Sequence, residues 1–183
     1  MCGRGHTAGR SARQLSCRRT SPGAVMPFGM LSFSSTSTKG DQTNTGAAGG
    51  YQYDTTRIRG FALTHVNGAG CHPGAMGDVP IMPMSGEVTS SPSADTKDEV
   101  FASDFSHADE QATPGRYSLK LANGTATDFA ATTRAGVGTF SFPKEKQANL
   151  LFRTSNSLNG SEDAEISIDR DRRTVPGGRR RPR

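Results

Sequence analysis

The chain has 183 residues, of which 32% are hydrophobic, and a mean hydropathy of −0.59. Its apolar stretches contain proline and glycine and are much shorter than the roughly 20 residues that cross a bilayer, so we predict no transmembrane helix and no membrane partner. The net charge of +5 comes from the two ends, because residues 21–169 hold ten Lys and Arg against sixteen Asp and Glu. Such an acidic body cannot neutralise a phosphate backbone, which argues against nucleic acid as a partner.

The basic ends set the expected domain boundaries. Residues 1–20 hold five arginines and no acid, and residues 170–183 hold seven arginines and one aspartate. The leader lacks the apolar run of a secretory signal, so no export route is predicted. We expect a disordered or wrongly assigned basic leader over residues 1–20, one domain over residues 21–175, and an Arg-rich tail with an artificial end over residues 176–183. A weaker alternative, nucleic-acid binding through these tails, predicts strong salt dependence.

Short strands separated by turn residues are predicted along the body. Residues 61–65 alternate in polarity, and residues 79–84 contain Pro80 and Pro83, which suit an edge strand. The clearest hairpin joins residues 117–122 to residues 125–133 through Asn123-Gly124, a pair typical of a type I′ turn. In its first strand Tyr117, Leu119 and Leu121 are predicted to face inward.

Further strands are predicted at residues 138–142, 148–154 and 164–169, and exposed loops at residues 39–50 and 89–99. This spacing of short strands and turns indicates an all-β fold, an antiparallel β-sandwich with disordered basic tails.

The cysteines give no disulfide framework. Cys2, Cys17 and Cys71 are odd in number, and two of them lie in the leader. His65, Cys71 and His72 match no zinc-ligand spacing. We therefore predict no metal site on this chain.

Residues 64–78 form the stretch that is richest in side chains able to bind a ligand. Its many small residues allow a backbone to approach a ligand closely. A dinucleotide site is excluded because Gly68-x-Gly70 is followed by Cys, His and Pro rather than by a helix. The stretch is interpreted as a ligand-contacting loop.

Four blocks occur in order between the basic ends. They are Pro-Gly-Ala-Val-Met-Pro-Phe-Gly-Met at 22–30; Gly-Tyr-x-Tyr at 50–53 with Ile-x-Gly-Phe at 58–61; Thr-His at 64–65, Gly-x-Gly-Cys at 68–71 and Gly-Asp at 77–78 with Met-Pro at 82–83; and Phe-Ser-His at 105–107 followed by Glu110, Pro-Gly at 114–115 and Tyr117. In this combination the chain resembles glycoside hydrolase family 92, the α-mannosidases, over about residues 21–175. It departs from the family pattern at Ala62, Val66, Asn67 and Arg116.

The resemblance implies the fold and chemistry of an N-terminal domain. It implies a galactose-mutarotase-like supersandwich packed on an (α/α)-barrel, in an exo-acting, calcium-dependent, inverting α-mannosidase that is secreted or periplasmic. Inversion requires an acid and a base roughly 6.5–9.5 Å apart, and the resemblance assigns both, with the calcium, to the barrel that this sequence lacks. The implied partners are mannose-containing glycans and the missing barrel. No catalytic or metal-binding residue is expected here.

The resemblance also suggests substrate-binding candidates in the sandwich: Phe28, His65, Gly68, Gly70, Cys71 and Asp78. Four of them have a structural alternative: Phe28 as a core aromatic between strands, His65 as a hydrogen-bonded structural histidine, Cys71 as a small buried hydrophobe and Asp78 as a turn cap. His107, Asp109 and Glu110 are interpreted as a solvated or interface-pairing cluster rather than as catalytic groups. A free-standing carbohydrate-binding module remains the alternative function.

Overall fold

The structure, a computed structural model, describes residues 21–37, 50–65, 79–89, 98–154 and 163–180. Within these residues the chain is almost entirely β, in twelve strands and one short helix. They are β1 Ala24–Val25, β2 Ser32–Thr36, β3 Arg57–Ile58, β4 Gly60–Ala62, β5 Ile81–Ser85, α1 Asp98–Phe101, β6 Ser103–Thr113, β7 Arg116–Leu121, β8 Ala126–Ala131, β9 Gly136–Ser141, β10 Ala148–Phe152, β11 Asp163–Ile166 and β12 Gly177–Arg180. None of the described residues belongs to a helix long and apolar enough to cross a membrane.

Two antiparallel sheets of five strands form the body, in the orders β1-β2-β4-β5-β10 and β3-β6-β7-β8-β9. Their facing side chains make the core, which confirms the predicted sandwich. Phe129 on β8 is fully buried and lies 4.1 Å from the ring of Phe33 on β2 and 4.9 Å from the ring of Phe61 on β4. One aromatic ring of the second sheet therefore packs against two strands of the first.

The β7–β8 hairpin is confirmed, with a different turn. Tyr117, Leu119 and Leu121 are buried as predicted. A type I′ turn needs positive φ at two successive residues, but only Gly124, at φ 89°, has it here, and Leu121 N donates to Thr125 O. Asn123 instead fixes a three-residue loop, because its Oδ1 accepts from Thr125 N and its Nδ2 donates to Pro83 O.

The expectation that the proline-containing strand lies at an edge is wrong. β5 lies between β4 and β10. Pro80 O accepts from Arg153 N, and Gly86 N donates to Gln147 O. In an antiparallel pair every second residue bonds to the partner strand, so the even-numbered residues of this stretch face β10. The nitrogen of Pro83 therefore lies on the side away from β10. On that side the pairing with β4 is limited to Phe61 and Ile81, so no ladder bond is lost at Pro83.

Arg116, where the family pattern has an aromatic residue, forms an ion pair across the hairpin. Its Nε lies 3.0 Å from Asp128 Oδ1, and both side chains are exposed. The guanidinium lowers the pKa of the Asp128 carboxyl. An exposed ion pair of this kind contributes little to stability.

The C-terminal segment differs from the expected disordered tail. Gly177–Arg180 form β12, which pairs with β11. A Cβ on Gly177 would lie 2.9 Å from Glu165 O, so the glycine permits this close pairing. The leader, residues 181–183 and most of both predicted long loops lie outside the described residues.

Truncating the central ring tests the packing of the two sheets. We expect Phe129→Ala to lower the free energy of unfolding by about 3–5 kcal/mol, because it leaves a cavity between the layers. Urea denaturation of the full chain measures it. The control Val137→Ala, whose side chain is exposed on β9, should change it by less than about 0.5 kcal/mol, and similar losses in both variants would contradict this core.

Candidate functional site

A buried carboxylate organises one polar cluster. We define the Glu110 cluster as Ser35, Tyr51, His107, Glu110 and Tyr117. Ser35 lies on β2 of the first sheet, Tyr51 in the segment before β3, His107 and Glu110 on β6, and Tyr117 on β7. The cluster therefore connects both layers with the segment over residues 50–56.

Glu110 accepts three hydrogen bonds. Its Oε2 accepts from the Tyr51 hydroxyl and from His107 Nδ1, both at 2.8 Å, and its Oε1 accepts from the Tyr117 hydroxyl at 2.8 Å. Tyr117 has one phenolic hydrogen, so in its 3.0 Å contact with Ser35 Oγ the serine is the donor. The carboxylate is thus satisfied although its side chain is only 9% exposed.

A β-bulge brings His107 and Glu110 together. In a regular strand, residues three apart face opposite sides. The pairing of β6 with β7 shifts register between Phe105 and Glu110, which turns the intervening residues out of the ladder. The solvated alternative for these residues is therefore wrong for Glu110 and His107, which pair with each other, whereas Asp109 is exposed. The interface-pairing alternative stays a prediction.

His107 has an acceptor at each ring nitrogen. Nδ1 faces the Glu110 carboxylate, and Nε2 lies 2.7 Å from the carbonyl oxygen of Tyr53. A carbonyl can only accept, so Nε2 carries a hydrogen. The imidazole ring is therefore held at both nitrogens, by a carboxylate on one side and by a backbone carbonyl on the other.

The two phenols of the cluster have raised pKa values. For Tyr51 and for Tyr117 the largest cause is burial, and the negative charge of Glu110 acts in the same direction. Both groups therefore remain protonated hydrogen-bond donors throughout the range in which proteins function.

Phe28 occupies a different position from the core site considered above, and that interpretation is wrong. It is fully exposed, in a turn closed by a hydrogen bond from Gly29 N to Met26 O. Its φ of 57° lies in the left-handed region, which type II turns assign to glycine. The fold thus holds an aromatic side chain in solvent on a strained backbone.

The structure places one other substrate-binding candidate. His65 is buried, and its Nε2 donates to Ser34 O at 3.1 Å, which is the structural role considered for it. Gly68, Gly70, Cys71 and Asp78 lie outside the described residues, as does His72. In the part of the chain that the structure describes, no group of three His, Cys, Asp or Glu side chains is arranged to hold a metal ion.

Sequence comparison decides the family. The profile of the glycosyl hydrolase family 92 N-terminal domain matches residues 6–182. The chain belongs to glycosyl hydrolase family 92. Within the family it is 26% identical over 165 residues to an uncharacterised secreted glycosidase of Arthroderma benhamiae, covering 82% of this chain and 20% of that protein.

Solved structures agree with this assignment. A family 92 inverting mannosidase from Bacteroides thetaiotaomicron matches with a TM-score of 0.69 and 26% identity, over 91% of this chain and 20% of that one. A family 92 α-mannosidase from the same bacterium, in complex with mannoimidazole, matches with a TM-score of 0.70 and 28% identity, over 82% of this chain and 20% of that one. The present chain therefore spans about a fifth of the length of these relatives.

Replacing the central carboxylate tests the cluster. In Glu110→Gln the new amide NH₂ cannot accept a hydrogen bond, so at least one buried donor loses its partner. We expect the free energy of unfolding to fall by about 1–3 kcal/mol. Asp109→Asn is a matched control, because the neighbouring acid is exposed. Urea denaturation should show a change below about 0.5 kcal/mol for it, and equal effects of the two substitutions would contradict the hydrogen bonding described.

Alkaline pH tests the environment of Tyr117. Its pKa in the folded chain lies above its ordinary value of 10.0. Above about pH 10 the unfolded chain therefore loses a proton that the folded chain keeps, and stability falls as pH rises, by up to about 1.4 kcal/mol per pH unit. Tyr117→Phe should show a smaller slope in urea denaturation between about pH 9 and about pH 11. Equal slopes for the variant and the wild type would contradict this.

Proposed function

We propose that this chain is the N-terminal, carbohydrate-contacting domain of an exo-acting inverting α-mannosidase and hydrolyses nothing without an (α/α)-barrel catalytic domain. The supporting observation is the family 92 match over residues 6–182, combined with the coverage of only 20% of the mannosidases that it resembles. The proposed partners are mannose-containing glycans and the barrel domain.

The described acids support a non-catalytic role. Inversion needs one carboxylic acid that protonates the leaving oxygen and one carboxylate that activates water. Glu110 has both oxygens engaged by donors of its own chain, and adjacent Asp109 is exposed to solvent. Neither has the shared, open position that an acid and base pair requires. We assign that pair to the barrel.

Calcium is assigned to the barrel for the same reason. The described residues do not offer a cluster that fits a metal ion. We therefore propose that calcium acts on the whole enzyme through residues of the barrel domain.

Phe28 supports contact with substrate. An exposed ring at a positive φ is costly for folding alone, and such strain clusters at ligand-binding sites. A pyranose has a C–H face that packs on an aromatic ring, and pockets often form where two domains meet. We propose that Phe28 is part of the wall of the mannose pocket, and that His65, Gly68, Gly70, Cys71 and Asp78 are further substrate-binding candidates.

Activity and binding assays of the purified chain test the proposal. We expect no mannose release from aryl α-mannosides or α-linked mannobiose, with calcium or with a chelator, and weak saturable binding of methyl α-mannoside by titration calorimetry. Phe28→Ala should weaken that binding, whereas Val137→Ala, an exposed apolar control on β9, should not.

The outcomes separate the alternatives. Measurable turnover by this chain would overturn its assignment as a non-catalytic domain. Absence of sugar binding at saturating concentration would remove carbohydrate contact as a property of the isolated domain. Affinity distinguishes the alternative of a free-standing binding module. A module that works alone must bind glycans tightly without a barrel, so only tight binding by the purified chain would favour it.

A further inference from the structure

Tyr53 combines exposure with a fixed orientation. Its side chain is 66% exposed, the ring stacks on His107 with centroids 4.1 Å apart and planes at 9°, and its carbonyl oxygen accepts from His107 Nε2. One face of the ring is therefore covered by the imidazole.

The backbone around Tyr53 is held at several points. Thr55 N donates to Gln52 O, closing a turn with Tyr53 and Asp54 at its centre, and Gln52 N donates to Ser37 Oγ. His107 is fixed in turn by Glu110 and by an edge-on contact with the ring of Phe105 at 4.9 Å. The orientation of the Tyr53 ring is thus prepared before any ligand arrives, which removes an entropic cost of binding.

The Glu110 carboxylate stabilises the arrangement. It lies 2.8 Å from His107 Nδ1 and keeps the imidazole stacked on the phenol ring of Tyr53. Loss of either group would free the Tyr53 ring to rotate. The exposed Tyr53 ring is therefore supported by partly buried polar side chains, His107 and Glu110. A surface tyrosine without a ligand does not need such support.

The surroundings favour a neutral ligand with hydroxyl groups. The segment carries the exposed Asp54 next to Tyr53, and β6 carries the exposed Asp109, whereas Asp104 on the same strand is ion-paired with Arg57. These charges disfavour phosphates and other anions. A hexopyranose is neutral, has one C–H face that can cover an aromatic ring, and has hydroxyls that can donate to carboxylates.

We propose that Tyr53 is a stacking platform for a neutral hexopyranose of the mannose class, and that His107 and Glu110 are positioning residues for its ring. This rests on the carbohydrate contact proposed above and adds to it a contact separate from Phe28. Tyr53 binds the face of the sugar ring. The hydrogen-bonded pair of His107 and Glu110 keeps the Tyr53 ring in the orientation that binds.

The experiment uses the small number of tyrosines. The chain has three, Tyr51, Tyr53 and Tyr117, so labelling with 3-fluorotyrosine gives three ¹⁹F signals that Tyr→Phe variants assign. Titration of the full chain with methyl α-mannoside should move the Tyr53 signal and leave that of buried Tyr117 in place. Glycerol, which has hydroxyls but no ring face, should move neither signal.

Affinity measurements on variants complete the test. Tyr53→Ala should weaken mannoside binding about tenfold through loss of the ring contact, and Tyr53→Phe should retain binding because it keeps the ring. His107→Gln should weaken binding while the Tyr117 signal stays in its folded position, an outcome that a purely structural role would not give.

Two failures are distinguishable. If the wild-type chain binds mannoside but neither the Tyr53 signal nor the affinity of Tyr53→Ala changes, the platform is wrong and the proposed carbohydrate contact stands. If the wild-type chain binds no sugar while the same signals confirm its fold, the proposed contact itself fails and the platform fails with it.

Discussion

The hydrogen bonds of one carboxylate, that of Glu110, connect the two sheets of this domain with the segment before β3. Glu110 receives donors from the segment before β3, from β6 and from β7, and Tyr117 continues the connection to Ser35 on the opposite sheet. A partly buried anion with fewer donors would be costly. The three donors remove that cost, and they also fix where the segment over residues 50–56 lies on the sandwich.

This arrangement separates two tasks within one domain. The aromatic core around Phe129 packs the two sheets together, whereas the Glu110 cluster fixes the segment over residues 50–56 outside that core. Tyr53 depends on that cluster, and Phe28 depends on its own hydrogen-bonded turn. The side chains that this domain presents at its surface are therefore fixed by contacts other than those of its aromatic core.

Sequence patterns predicted the regular parts of the fold well. Alternation placed Tyr117, Leu119 and Leu121 in the core, and Asn123-Gly124 located the hairpin, because these signals act over a few neighbouring residues. The family was identified from ordered motifs. The pairing of His107 with Glu110 could not be predicted, because it requires a bulge whose position is set by pairing with β7. The interior position of β5 likewise depends on where β4 stops pairing.

Phe28 shows how a domain can keep a residue that its own folding would reject. Its left-handed backbone is easily adopted by glycine, while a side chain there costs of order 1 kcal/mol or more. The ring gains nothing from the core in return, since it is fully exposed. Under the proposed contact with substrate, this turn is a trade-off between stability and function, in which the sandwich is less stable than it could be and the exposed ring is free to meet another molecule.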